Sequence, residues 1–297
     1  MAGIADFRLA PDPYISIEDD RIKGLRLLDA ARTRSFAELV DYYYSITPEV
    51  PGNMARQWTA HTLALPAIAE HVLKQAGLTY AAAGTPTILD VGCGTAGLLQ
   101  AAAFSFSRLV GVDVAFRWLI IARQRLRESG IEADLVCANA EALPFGAGIF
   151  DAITATDVIE HVRDAAATIG ESARVARPGA KIVVTTNNRY APLPDPQVGL
   201  WALGFCPRRW QPAYVGSRIK GIHVYRVQMK SARELNRLFR MNAYRKFQTR
   251  PATLAAPHIR SRPVQTAVRM YNALQTLPLI RESMTLFGPR LITIAER

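Results

Sequence analysis

Ile88-Leu89-Asp90-Val91-Gly92-Cys93-Gly94-Thr95-Ala96-Gly97 decides how this chain folds. The apolar run Thr87–Val91 ends directly in glycines, which marks a buried parallel strand entering a tight turn. Glycine lets the backbone turn sharply there and come close to a ligand. The following Ala96–Phe104 reads as a helix. Further strands are expected at Arg108–Val112, Ala133–Cys137, Phe150–Thr156 and Lys181–Thr186. Between them lie the helical stretches Phe116–Ser129, ended by Gly130, and Ala165–Ala176, closed by Arg177-Pro178-Gly179. Such alternation predicts a parallel sheet covered on both faces.

The flanks extend that core. Residues 1–34 are polar and look weakly structured, and residues 35–77 carry helical apolar stripes for two or three helices. Residues 187–228 interrupt the rhythm with five prolines and a cluster of aromatics and arginines, as a lid or insertion would. Ser231–Met241 returns to helix, with Ser231 as N-cap and Glu234 completing a capping box. Tyr244–Thr249 reads as a strand, Val264–Leu277 as a helix and Arg290–Ala295 as a last strand. The expected fold is α/β: a doubly wound, mostly parallel, seven-stranded sheet. Its expected parts are a helical cap at 1–84, a core at 85–186, a lid at 187–228 and a basic completion of the sheet at 229–297.

The chain has 297 residues, 49% hydrophobic and 21% charged, which excludes a disordered or fibrous protein. Three cysteines without C-x-x-C spacing read as reduced thiols and not as a zinc site. No signal peptide or spanning helix is evident, so a cytoplasmic protein is expected. Residues 187–297 hold 19 Lys+Arg against 4 Asp+Glu, a net of +15, and residues 1–186 a net of −4. A one-signed region of this size favours an anionic substrate or surface, although an Arg-rich composition explains part of it.

Gly92, Gly94 and Gly97 satisfy G-x-G-x-x-G, and Asp113 ends the next strand about twenty residues on, where a carboxylate can accept both hydroxyls of a ribose. Both features suit NAD as well as S-adenosylmethionine. The segments that follow separate the two. Asp90-Val91-Gly92-Cys93-Gly94-Thr95 resembles motif I of the class I S-adenosylmethionine-dependent methyltransferases, and Val110-Gly111-Val112-Asp113 their second motif. Asn139–Phe145 resembles the adenine-side loop, followed by Phe150-Asp151-Ala152-Ile153. Thr156–Val162 and Arg174–Ala180 resemble the next two signatures. These segments occur in order over residues 88–184, similar to those of quinone-pathway methyltransferases.

The resemblance implies S-adenosylmethionine as cofactor. It assigns Asp113 to the ribose hydroxyls, Gly92 and Gly94 to close backbone approach, and Asp90 to the methionine end. Val114, Ala140 and Thr156 are expected to complete the pocket. Asn139 stands where an Asp is frequent in the family. It is either an uncharged acceptor for the adenine amine or a turn residue.

His161 follows Glu160 near the expected methyl donor and suits a general base. Asp157, Glu160 and His161 have i, i+3, i+4 spacing, and in similar enzymes an acid-x-x-Glu-His segment is associated with a divalent cation. Base, metal ligand and structural residue therefore stay open for His161, and no metal is included in the expected site. His223 is a second candidate base. Trp201, Phe205 and Trp210 are expected to wall an apolar pocket, with Arg208 and Arg209 holding an anionic group. The expected reaction is in-line methyl transfer to O, N or C of a small, anionic or lipid-like acceptor, with possible peripheral membrane contact. An RNA methyltransferase would use the same basic third, but no RNA-binding module is recognisable, which makes nucleic acid the less favoured partner. A non-catalytic cofactor-binding module is the remaining alternative. Acceptor and oligomeric state are not legible.

Overall fold

The computed structural model of the chain describes residues 3–50, 52–79, 84–195, 198–219, 227–242, 244–259 and 261–297. Its N-terminal elements are β1 (Ala5–Asp6), α1 (Ile17–Ala30), α2 (Phe36–Ser45) and α3 (Gly52–Ala76). The alternating section contains β2 (Thr87–Val91), α4 (Gly97–Ala102), β3 (Arg108–Asp113), α5 (Phe116–Glu128) and β4 (Asp134–Cys137). It continues with β5 (Phe150–Thr156), α6 (Ala165–Val175) and β6 (Ala176–Asn187). Two short 3-10 turns and α7 (Gln211–Arg218) precede α8 (Ala232–Met241), β7 (Lys246–Pro251), α9 (Arg262–Leu274), α10 (Pro278–Phe287) and β8 (Arg290–Glu296).

The strands form one sheet in the order β1-β4-β3-β2-β5-β6-β8-β7. Pairings from β1 to β6 are parallel, and β8 runs antiparallel to both β6 and β7. This is the expected doubly wound, mostly parallel α/β sheet, with the two-residue β1 added at the edge as an eighth strand. All five residues of β2 are buried. Ile88 packs into one hydrophobic cluster and Leu89 into the other, because successive strand side chains point to opposite faces. Helices α1 to α5 cover the first face, and α6 and α8 the second. Strand order reverses at β2, with β3 on one side and β5 on the other. The carboxyl ends there form the crevice where open α/β sheets take their ligands.

The N-terminal segment departs from expectation. Residues 17–30 are helical, and Ser16 caps the helix by accepting from the Asp19 amide at 3.1 Å. The acidic step Glu18-Asp19-Asp20 occupies the first turn, where carboxylates complement the positive end of the helix dipole. Three further elements were not expected, β1, α7 and α10. The predicted capping box at Ser231 and Glu234 is present, with both reciprocal hydrogen bonds formed.

Candidate active site

The turn after β2 is tied to β3 by two amides, Gly92 N–H and Cys93 N–H, which both donate to the Val112 carbonyl at 2.7 and 2.9 Å. Gly92 has φ +68°, and a Cβ there would stand 2.2 Å from Val158 Cγ2. Glycine is thus required both by the left-handed backbone and by the close approach of the segment after β5. Gly97 faces elsewhere: its missing Cβ admits Leu65, so the third glycine of the motif packs α4 against α3.

Asp113, at the end of β3, accepts Gly94 N–H on Oδ2 and Ala115 N–H on Oδ1, both at 2.8 Å. These two bonds fix the carboxylate at the edge of a cavity of about 300 Å³. Enclosure raises its pKa to about 6, against the pull of the two amides. Asp90 lies beneath the turn, buried, and accepts the Thr154 hydroxyl from β5 at 2.7 Å. Burial pushes it up to about 7.

Gly92, Gly94, Asp113 and Val114 line one side of this cavity, and Asn139 and Ala140 another. Asp157, Val158 and His161 supply a third side, and Pro11–Tyr14 a fourth. That last wall is an N-terminal strap fixed by two devices. Asn139 Oδ1 accepts from the amides of Leu9 and Ala10 at 2.8 and 3.1 Å, and its Nδ2 donates to the Ala10 carbonyl at 3.2 Å. Arg117, just inside α5, donates to Asp20 at 2.6 Å and to Asp12 at 2.9 Å, while Arg8 reaches the other oxygen of Asp20 at 2.6 Å. Trp118 lines the cavity, and Tyr43 packs behind it at a tilt of 48° with ring centroids 4.4 Å apart.

The turn after β5 does not gather its three ionisable residues around one point. Asp157 has φ +57° and receives both of its contacts from Arg290 Nη2, at 2.8 and 2.9 Å. Glu160 is buried, and burial with the nearby Asp157 raises it to about 8. His161 Nδ1 lies 3.2 Å from the Tyr14 hydroxyl. Burial lowers the His161 pKa, which keeps the imidazole neutral at pH 7. Among the described residues no group of three or more His, Cys, Asp and Glu is placed to hold a metal ion.

A second cavity of about 350 Å³ adjoins the first and shares Pro13, His161, Val162 and Arg163 with it. Its other lining includes Arg208, Gln211 and Gln228. Arg208 donates to Glu234 at 2.7 Å and to the Met229 carbonyl at 2.9 Å.

Residues 89–184, from β2 to β6, match the family model described as a methyltransferase domain. This segment is a class I methyltransferase domain. A ubiquinone biosynthesis O-methyltransferase of Aromatoleum aromaticum is 37% identical over 103 residues, which are 34% of this chain and 44% of that protein. The chain spans about half the length of the curated relatives it matches. A SAM-dependent methyltransferase from Aquifex aeolicus superposes with a TM-score of 0.50 at 14% identity, over 78% of this chain and 92% of that one. The cyclase SpnF does so equally, with a TM-score of 0.50 at 17% identity over 77% and 80%. The fold is thus shared with a protein named for another reaction, and chemistry has to be argued from the site.

Of the residues expected at the cofactor, the methyltransferase domain brings Gly92, Gly94, Asp113, Val114, Asn139 and Ala140 to the first cavity. Asp90 supports the turn from below. Thr156 closes β5 in register with Thr185 and lines neither cavity. His161 stands where the two cavities meet. Arg208 reaches the second cavity. Trp201 and Trp210 are exposed, Arg209 stacks on Trp210, and these three line neither cavity. His223 lies outside the described residues. Sequence reasoning missed Asp12, Tyr14, Arg117 and Arg163. The only local signal was the Pro11-Asp12-Pro13 step, since prolines flanking one acid favour a fixed extended segment.

Proposed function

We propose that the chain is an S-adenosylmethionine-dependent methyltransferase acting on O, N or C of a small acceptor that is anionic or lipid-like. The observation that carries this reading is the Asp113 carboxylate, held by two amides beside the glycine turn inside a methyltransferase domain. The residues fit the cofactor: a fixed acceptor for two ribose hydroxyls, a turn without side chains at its closest approach, and an enclosing cavity. The bound cofactor supplies an activated methyl group on a sulfonium. What the protein contributes is then mostly positioning.

In this reading Asp113 accepts from the ribose hydroxyls, and Gly92 and Gly94 admit the cofactor while Asp90 keeps their turn in place. Val114 and Ala140 flank the adenine. Asn139 acts there indirectly, by holding the strap that closes the pocket. The acceptor occupies the second cavity, with its nucleophilic atom at His161. The neutral imidazole takes the proton from a hydroxyl or amine, and the Tyr14 hydroxyl at Nδ1 orients the ring. Arg208 and Arg163 face an anionic group of the acceptor, and Trp201, Arg209 and Trp210 of the 187–228 lid meet its outer end. Residues 1–84 serve as cap and 229–297 complete the sheet. The relatives' name makes an oxygen on a quinone precursor the first acceptor class to assay.

The test is a calorimetric titration with S-adenosylhomocysteine on wild type and Asp113→Ala, with NADH in parallel. Binding of S-adenosylhomocysteine alone, lost in the variant, supports the reading, and binding of NADH alone overturns it. Binding without turnover across phenolic, amine and lipid acceptors would favour a non-catalytic module.

A further inference from the structure

Neither α9 nor α10 buries a single residue, yet Val264, Met270, Leu274, Leu279, Leu286 and Phe287 are all substantially exposed on them. Val264, Ala267, Met270 and Leu274 recur at three- and four-residue steps and form one outward stripe. Leu279 and Leu286 do the same on α10, and Leu277 joins the two at the intervening turn. Leu279 is 81% exposed.

Three amide residues of α9 and its C-cap do the opposite. Gln265 Nε2 donates to the carbonyls of Ala256 and Ile259 at 2.6 and 2.7 Å. Asn272 exchanges two 2.9 Å hydrogen bonds with the backbone of Leu254, and Gln275 reaches the Ala252 carbonyl. Three amide side chains of the helix are thus turned to the protein, and the apolar stripe faces outward. A surface helix in water usually turns such a stripe to the core, and an exposed apolar face of this kind marks an interaction site.

Charge selects the partner. Residues 255–289 contain four arginines and one acid, Glu282. Arg262 and Arg269, seven apart, flank the apolar stripe and are exposed. A second copy of this chain on the same face would oppose those arginines to each other. An anionic lipid surface accepts both features, leucines at the acyl boundary and guanidinium groups at the headgroups. We propose that the α9–α10 hairpin docks the protein on an anionic lipid bilayer, with Leu277, Leu279 and Leu286 entering it. The Asn188 side chain donates to the Leu286 carbonyl at 3.0 Å, so the docked face adjoins the start of the 187–228 segment. The proposal stands whether or not the chain transfers methyl groups.

The test is flotation of the full chain with phosphatidylcholine vesicles, and with vesicles containing about one quarter phosphatidylglycerol. Wild type is expected to float with the anionic vesicles and to be released by salt. The double variant Leu277→Glu, Leu279→Glu, which alters only exposed side chains, should bind at least about tenfold more weakly with an unchanged circular dichroism spectrum. Trp201→Ala with Trp210→Ala should still float. Failure of wild type to float overturns the proposal, as does unchanged binding of the leucine variant, or loss of binding confined to the tryptophan variant. A dimer in light scattering that the leucine variant dissociates would also overturn it, since the face would then be an interface between copies.

Discussion

Arg117 Nη1 lies 2.6 Å from Asp20 Oδ1, and both side chains are buried. This ion pair joins α1 to the helix that follows the Asp113 strand, and through Asp12 it carries the strap that walls the cofactor cavity. A buried pair broken on one side leaves an uncompensated charge, at a cost of about 3–5 kcal/mol. Asp20→Asn is therefore expected to lower the unfolding free energy from urea titration by up to that amount, since Asp12 still faces Arg117, and to weaken S-adenosylhomocysteine binding at temperatures where the variant is folded. A midpoint equal to wild type would show that the pair contributes nothing.

Asp90 and Asp113 oppose stability to binding. Burial raises them from 3.8 to about 7 and about 6. A carboxyl raised on folding gives its full stabilisation below its unfolded value and loses it as pH rises through the folded value. Over this window the unliganded protein should lose stability through these two groups, and Asp113→Asn should raise its Tm at pH 7.5. Binding runs the other way, because the ionised carboxylate is the stronger acceptor. Wild-type affinity for S-adenosylhomocysteine should rise from pH 5 to pH 7, while Asp113→Asn binds weakly at every pH. Calorimetry and thermal scans across that range check both halves.

The two turn glycines should respond differently to alanine. Gly94 has φ +49° with nothing near a new Cβ, so Gly94→Ala meets only the left-handed penalty of about 1–2 kcal/mol. Gly92→Ala adds the collision with Val158 and should cost more. Adding Val158→Ala should recover part of the loss in Gly92→Ala and none in Gly94→Ala, a coupling measurable by a double-mutant cycle.

His61 of α3 and His258 of the segment before α9 meet edge to face, with ring centroids 5.4 Å apart. Both are lowered from 6.5 by burial, His61 also by its neighbour. A histidine lowered on folding gives its full stabilisation above its unfolded value and loses it as pH falls below that value. Acidification below pH 6.5 should therefore loosen the C-terminal helices from α3. Hydrogen exchange at pH 5.5 should show faster exchange in α9 for wild type than for His258→Phe.

The sequence alone determined the order of strands and helices from β2 to β6, the glycine turn, the acid at the end of β3 and the Ser231–Glu234 capping box. Each depends on residues close along the chain, where periodicity and spacing act directly. Only the tertiary structure decided the rest. Asp20 and Asp12 meet Arg117 across 97 and 105 positions, and no spacing rule joins them, so a segment that looked weakly structured became a cavity wall. Asn139, legible as an adenine contact or a turn residue, was claimed by the strap. The i, i+3, i+4 spacing at Asp157, Glu160 and His161 implied a cluster, but the backbone at Asp157 is left-handed and Arg290 from β8 takes its carboxylate into an ion pair. The same limit hid the outward apolar face of α9, because an amphipathic pattern fixes that a helix has two sides, and packing alone decides which side meets water.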